Sequence, residues 1–577
     1  MNAIYLVLGA AFVFILAYRY YGAFIAAKVL AFDENRPTPA QSINDGRDYV
    51  PTNKWVLFGH HFAAISGAGP LIGPVLAAQF GFAPGFFWIL AGAVLAGAVH
   101  DMIILFASVR HKGKSLAEIA REEIGPVAKV AASIATFLII ILALAGLAIV
   151  VVNALKDNVW GTFAIGFTIP VALFIGIYMH YIRPGKVAEA SAIGVFLIII
   201  GILLGPWVRE SGIASWFAFS ETQLKLILPT YGFIASVLPV WMLLCPRDYL
   251  SSYMKIGTIL LLAFGVIVVR PDIHMPAFTS FVHGGGTNIN GPVWPFVFIT
   301  IACGAISGFH SLISSGTTPK MISNERDIRM IGYGSMLMEG FVAVMALIAA
   351  CVLLPGDYFA INTAPAVFQK LAATGNPLFQ ISNLPELSKM VQMDLAGRTG
   401  GAVSLAVGMS YILSSIPGLK SLMAYLYQFA ILFEALFILT TIDTGTRVGR
   451  YILQDGLGNI YAPFKKISWI PGTLFTSAVV TLFWGYLIYG GSISTIWPIF
   501  GTTNQLLGTV ALAIGTSVIL RRTKKPLYGL ITALPMVFLG VTTITAGIYS
   551  LINTYIPKGL ILNCLLYTSD AADEEDS

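Results

Sequence analysis

Seven ionisable side chains fall inside stretches apolar enough to cross a membrane: His60, His61, Asp101, His310, Glu339, Glu434 and Asp443. Charge is costly in hydrocarbon, so an ionisable group held there is a functional candidate by default. Histidine changes charge near neutral pH, which suits it to carry a proton. His61 and His310 each lie within three residues of a small-residue stretch. They are therefore read as candidate substrate-binding groups, the competing reading being an interior imidazole bonded to a backbone carbonyl. His61 is also a candidate for proton coupling, together with Glu434, a carboxyl with no obvious partner in sequence. Asp443 has Arg447 and Arg450 at i+4 and i+7. That spacing places a carboxylate and two guanidinium groups near one helix face, as a latch or an inside gate. A metal site built from His60, His61 and His310 is disfavoured, because adjacent residues on a helix diverge by roughly 100° and no carboxylate lies nearby in sequence. No metal or cofactor is expected beyond H⁺ or Na⁺ as a coupling ion.

The segment that must position these groups is GHHFAAISGAGPLIGP, 59–74. Its glycines and prolines are poor material for a continuous helix. Freed backbone survives at membrane depth only where it is buried in protein or lines a wet cavity. An interrupted span is the best sequence pointer to the solute site of a secondary transporter. Ser66, Gly67 and Gly69 join His61 as candidate substrate-binding positions, and a close-packed kink is the alternative. A second segment, ITIACGAISGFHSLISSGTTPKMI (299–322), offers hydroxyls at helical spacing. Ser314 and Ser315 are candidates for a sodium site, since hard cations take oxygen ligands; back-bonding to their own turn is the common alternative.

Across 577 residues, 57% are hydrophobic and 11% charged, with a mean hydropathy of +0.80. Soluble domains carry about 25% charged residues. The chain is an all-α polytopic membrane protein, and its net charge of +6 is no sign of nucleic-acid binding. Fourteen spans are predicted: 4–25, 55–79, 84–108, 127–151, 160–182, 188–208, 223–244, 252–269, 292–314, 331–354, 420–441, 469–489, 493–519 and 528–553. Between them, 355–419 reads as a long loop with a moderately apolar piece, 400–417, suited to an interfacial helix or a hairpin. Loops after odd-numbered spans hold 24 of the 34 Lys+Arg. That asymmetry places them in the cytoplasm, with the N-terminus and 355–419 outside.

The second span would then run from cytoplasm to exterior. The seventh, with Gly232 and Pro239, runs the other way and also reads as interrupted, as a five-plus-five inverted repeat would show. The tetrad AISG occurs at Ala64–Gly67 and again at Ala305–Gly308. Among so many small apolar residues, chance is the favoured explanation. No GxxxxGK[ST] loop is present, so transport would draw on an ion gradient or be passive.

Four segments taken together closely resemble the carbon starvation protein A family of bacterial and archaeal inner-membrane proteins. They are 59–74, CPRDYLSSYMKIGTI (245–259), 299–322 and FEALFILTTIDTGTRVGRYILQD (433–455). The resemblance covers nearly the whole chain. It implies membership of the amino acid–polyamine–organocation superfamily, with a LeuT-like five-plus-five fold and extra helices. It also implies uptake of small peptides, or of pyruvate with protons, across the plasma membrane, linked to carbon starvation. On that reading 1–30 is an extra N-terminal span, 55–441 the transport core, and 442–560 holds additional spans. The tail 564–577 is read as non-native sequence. Partners are a small-molecule substrate and the lipid bilayer, with no nucleic acid; oligomeric state is open. A membrane sensor of starvation without transport is the alternative, and the lack of any cytoplasmic domain speaks against it.

Overall fold

A computed structural model describes residues 1–45, 49–183, 186–238, 242–458, 460–466 and 469–557. The reading of 564–577 as non-native lies outside the described residues, as does Pro239. Among the described residues the chain is helical, with two isolated β-bridges, Asn2 to Asp272 and Thr52 to Ile322, and no extended strand.

Ten helices are long and apolar enough to span a membrane. They are Ile4–Val29, Phe82–Arg110, Pro126–Leu155, Val159–Ile182, Ala188–Glu210, Arg329–Cys351, Lys420–Gly458, Ile470–Gly490, Ile493–Arg522 and Pro526–Tyr555. An eleventh candidate is a pair, Lys54–Ile65 and Gly69–Phe80, bent by 48° at its break. The sequence reading had three more. These are a 17-residue helix Glu221–Val237, the apolar part Met254–Val269 of a longer helix, and a span divided into Val293–Thr300, Ala302–Ala305 and Gly308–Ser314. Glu221–Val237 is short and 293–314 is interrupted, so neither is a continuous crossing, whereas the longer helix Leu244–Val269 has 26 residues, enough for one.

Burial orders the helices from centre to rim. Phe82–Arg110 and Arg329–Cys351 are 83% buried in their most apolar windows, against 28% for Ile4–Val29 and Pro526–Tyr555. The rim helices present Tyr5, Phe12, Ile15, Leu534 and Ile544 outward, the apolar surface that lipid would solvate. The central ones are built for close approach. A Cβ on Gly408 would stand 2.0 Å from the Ala349 carbonyl, so Ala402–Ser414 packs backbone to backbone on its neighbour.

That helix corrects the reading of 400–417 as an interfacial piece, because almost every residue of Ala402–Ser414 is buried. The rest of 355–419 is also structured, with helices Pro355–Asn362, Pro365–Ala372 and Leu384–Val391. The buried Asp357 carboxylate accepts from the backbone N–H groups of Ser382, Asn383 and Leu384 at 3.0–3.2 Å. It thereby caps the N-terminus of the last helix from a distance.

Candidate functional site

The first broken span interrupts where its sequence predicts. Helix Lys54–Ile65 ends at Ser66 (φ −78°, ψ 76°), and the chain resumes at Gly69 with Pro70 in the first turn. The seventh span also stops early: its helix ends at Val237 with Leu238 extended (φ −60°, ψ 150°), inside the predicted 223–244, while a further interruption lies in the ninth span. Gly232 sits inside the continuous helix Glu221–Val237, where a Cβ would stand 2.9 Å from the Trp484 ring; it makes room for packing and does not break the span. The second broken span is 293–314, where Ile306 (φ −158°, ψ 127°) and Ser307 (φ −123°, ψ 122°) are extended between two helical pieces. Both AISG tetrads therefore lie at breaks.

The two breaks pack against each other. A Cβ on Gly69 would stand 2.4 Å from Cys303 Cβ, and one on Gly73 would stand 2.4 Å from the Thr300 carbonyl oxygen. Beside this crossing is a small cavity of about 20 Å³, room for a single water. Ile65, Gly67, Ala68 and Gly69 line it from the first span, Cys303 and Phe309 from the second, and Thr441 from Met423–Gly458. Of the predicted substrate-binding residues, Gly67 and Gly69 line this cavity. His61 does not: its Nδ1 lies 2.8 Å from Thr318 Oγ1. Its neighbour His60 is exposed, so the two rings diverge as helical geometry requires. Ser66 is buried at the break.

His310 belongs to a row of buried ionisable groups behind Cys303. Its Nδ1 lies 2.9 Å from Asp101 Oδ2 and its Nε2 3.1 Å from Glu339 Oε2. Asp101 Oδ1 in turn lies 2.7 Å from His100 Nδ1. All four side chains are fully buried, and they come from three central helices, Ala98–Arg110, Gly308–Ser314 and Ser335–Cys351. A lone pair facing a carboxylate oxygen at these distances is repulsive, so each contact of the imidazole needs a hydrogen. A neutral ring supplies one; the other must come from a second proton on the ring or on a carboxyl. The row therefore calls for one proton beyond that of a neutral imidazole. Cys303 Sγ, His310 Nε2 and a Glu339 oxygen lie within 4.8 Å of one another, so these are the residues that could also hold a metal ion.

The other predicted residues are placed differently. Glu434 is buried, and neither carboxyl oxygen has a hydrogen-bond partner among the described residues. Asp443 is latched from another helix. Arg247 Nη1 lies 3.3 Å from its Oδ2, to which the Tyr231 hydroxyl donates at 2.7 Å. Arg447 instead donates to the carbonyls of Ala235 (2.9 Å) and Leu238 (2.6 Å), and Arg450 to Ser236 (3.0 Å). They satisfy the end of Glu221–Val237, where open carbonyls and the helix dipole attract cations. Ser315 Oγ accepts from Leu116 N–H at 3.0 Å and donates to Ser311 O at 2.6 Å. Ser314 Oγ is buried without a partner among the described residues. Neither contacts the carbonyls at the first break, which Lys255 takes: Nζ donates to Ala63 O at 3.0 Å and Ser66 O at 3.1 Å.

Sequence reasoning singled out Asp101 and Glu339 as costly but assigned them no role, and it passed over His100, Arg247 and Lys255. The available signals were the dipeptide His100-Asp101 in mid-span and a lysine in the apolar run 252–269.

Comparison with known proteins places the chain in a family. The sequence profile described as "Carbon starvation protein CstA" matches residues 2–546. "Peptide transporter CstA" of Bacillus subtilis (strain 168) is 51% identical over 556 residues, covering 96% of this chain and 92% of that protein. "Pyruvate/proton symporter BtsT" of Escherichia coli (strain K12) is 46% identical over 583 residues, covering 94% and 81%. Among solved structures, MhsT in complex with L-phenylalanine aligns with 86% of this chain and 98% of its own, at 11% identity and a TM-score of 0.43. With a profile match over almost its whole length and relatives near half identical, the chain belongs to the carbon starvation protein CstA family, and it is a multi-pass membrane transporter, not an enzyme.

Proposed function

We propose that the protein is a proton-coupled secondary transporter that imports small peptides or a small carboxylate such as pyruvate across the plasma membrane. The observation that carries this reading is the row His100–Asp101–His310–Glu339, which holds a proton directly behind the crossing of two broken spans. Broken helices mark solute sites in such proteins, and buried ionisable chains mark proton routes. Both proposed substrates carry a carboxylate. The start of helix Gly69–Ala77 borders the cavity and offers a carboxylate the positive end of the helix dipole. The names of the relatives, a peptide transporter and a pyruvate/proton symporter, support both substrate classes and the proton. His61 and Glu434 stand outside the row and take second place to it as coupling groups. The transport core is a five-plus-five inverted repeat within 55–441. In such a repeat the mate of the second span is the seventh, whose helix ends at Val237, short of the predicted 244. The N-terminus lies outside, as the lysine and arginine asymmetry requires.

Reconstitution tests the reading. Purified protein in proteoliposomes should accumulate labelled pyruvate or a labelled dipeptide when the outside is acid. A protonophore should collapse the accumulation, and replacing potassium by sodium should leave it unchanged. Accumulation driven by sodium without a pH gradient, or of neither substrate under any gradient, overturns the proposal.

A further inference from the structure

Cys303, His310 and Glu339 converge from three pieces of backbone. Cys303 lies in helix Ala302–Ala305 and His310 in Gly308–Ser314, on opposite sides of the break at Ile306 and Ser307; Glu339 comes from Ser335–Cys351. All three are buried. His310 Nε2 lies 3.9 Å from Cys303 Sγ and 3.1 Å from Glu339 Oε2. A tetrahedral zinc ion, bonded at about 2.3 Å to sulfur and about 2.0–2.1 Å to nitrogen and oxygen, sets such ligand atoms about 3.3–3.6 Å apart. Ring and carboxylate already stand close to that spacing, and the sulfur needs to close in. Neither Glu339 oxygen makes a hydrogen bond of good geometry among the described residues, although the imidazole is so near. Close approach without hydrogen-bond geometry is how two ligands of one ion stand.

Asp101 completes the arrangement. Its carboxylate, 2.9 Å from His310 Nδ1, holds the ring hydrogen on that side and leaves the Nε2 lone pair facing Glu339 and Cys303. This is the carboxylate–histidine–metal order of bound metals. A thiolate and a carboxylate offset the two charges of a divalent ion, which burial requires, and sulfur selects zinc and similar ions over magnesium or calcium. Ser307 Oγ, 3.6 Å from the sulfur, is engaged by Asn504. The fourth position therefore falls to water, and Cys303 lines the small cavity that has room for one.

We propose that Cys303, His310 and Glu339 form a binding site for zinc or a similar divalent ion, and that the bound ion stops transport. On binding, the thiol proton and the extra proton of the row leave to solvent. The ion then ties both pieces of the broken span to a central helix. The block rests on the transporter reading; the site does not.

Cobalt(II) is the probe, because thiolate ligation gives it a near-ultraviolet charge-transfer band. Tag-free, full-length protein, reduced and in detergent, should develop the band saturably at one cobalt per chain, and zinc should abolish it by displacement. Cys303→Ser, or Cys303→Ala where the serine variant fails to fold, should lose the band, and so should His310→Gln; Cys351→Ser should keep it. A monodisperse wild type without the band, or a band that survives loss of the Cys303 thiol, overturns the site. In proteoliposomes, free zinc at about ten times its Kd should cut wild-type uptake about tenfold, and a chelator should restore it. Uptake unchanged at saturating zinc overturns the block. A wild type without uptake in metal-free buffer counts against the transporter reading alone, because the cobalt band does not depend on transport.

Discussion

Replacing His310 by glutamine is expected to stop proton-driven accumulation while leaving substrate exchange across the membrane. His310 contacts both Asp101 and Glu339. Glutamine can keep one contact, but it cannot take up and release a proton. Breaking a buried ion pair costs about 3 kcal/mol or more, and a barrier raised by that amount slows a step by roughly a hundredfold. Accumulation under an inward acid gradient should fall by that order. Counterflow, in which labelled substrate exchanges for unlabelled with no net proton movement, should survive at a measurable fraction. Asp101→Asn should behave alike, because it leaves the Nδ1 side of the ring without its carboxylate. His61→Gln and Glu434→Gln are the controls. Neither touches the row, and both should keep the response to the gradient. If His310→Gln retains full pH-driven accumulation, the row is not the proton route, and a failing control would name its replacement.

The second large effect is expected at the crossing of the breaks. Gly69→Ala puts a methyl carbon 2.4 Å from Cys303 Cβ and 2.6 Å from its Sγ, well inside van der Waals contact. Overpacking of this kind costs about 1–3 kcal/mol in stability. Uptake should fall by at least about tenfold, since a displacement of the spans also displaces the cavity they line. The partner offers a specific rescue. Gly69→Ala combined with Cys303→Gly should recover most of the stability lost by the first substitution, as neighbours sharing one volume are non-additive. Normal thermal stability and uptake in the single Gly69→Ala variant would remove the contact from the working geometry.

Much of the fold was legible because its signals are local. The interruption after Ile65 follows from glycines and prolines within a few residues, and the ten long apolar helices fall close to the runs that predict them. The break at 306–307 was not legible for the opposite reason. Gly232 and Pro239 look like a break, yet Gly232 is a packing notch for Trp484. Ile306 and Ser307 carry no proline, yet they lie extended. The site was legible in its members and not in their pairing. Asp101, His310 and Glu339 each stand out as costly, but their contact joins helices far apart in the chain. Arg447 follows the i+4 rule toward Asp443 on paper. In the folded protein the open carbonyls of Ala235 and Leu238 compete for it, and Arg247 supplies the latch instead. Lys255 was missed because a lone lysine near the start of a span reads as a boundary residue whose head reaches water.

The tethered ammonium at the first break has a consequence for bioenergetics. A charge fixed to the protein returns with it, so over a complete cycle Lys255 carries no current. On the proton-coupled reading, the electrical work is set by the cargo and its accompanying proton. A monoanion such as pyruvate crossing with one proton is electroneutral, and its distribution follows the pH difference only. A zwitterionic dipeptide crossing with one proton moves one positive charge, and the membrane potential adds about 2.3 kcal/mol per 100 mV to its uptake. One transporter would thus favour peptides in a cell with a strong potential and treat pyruvate alike at any voltage.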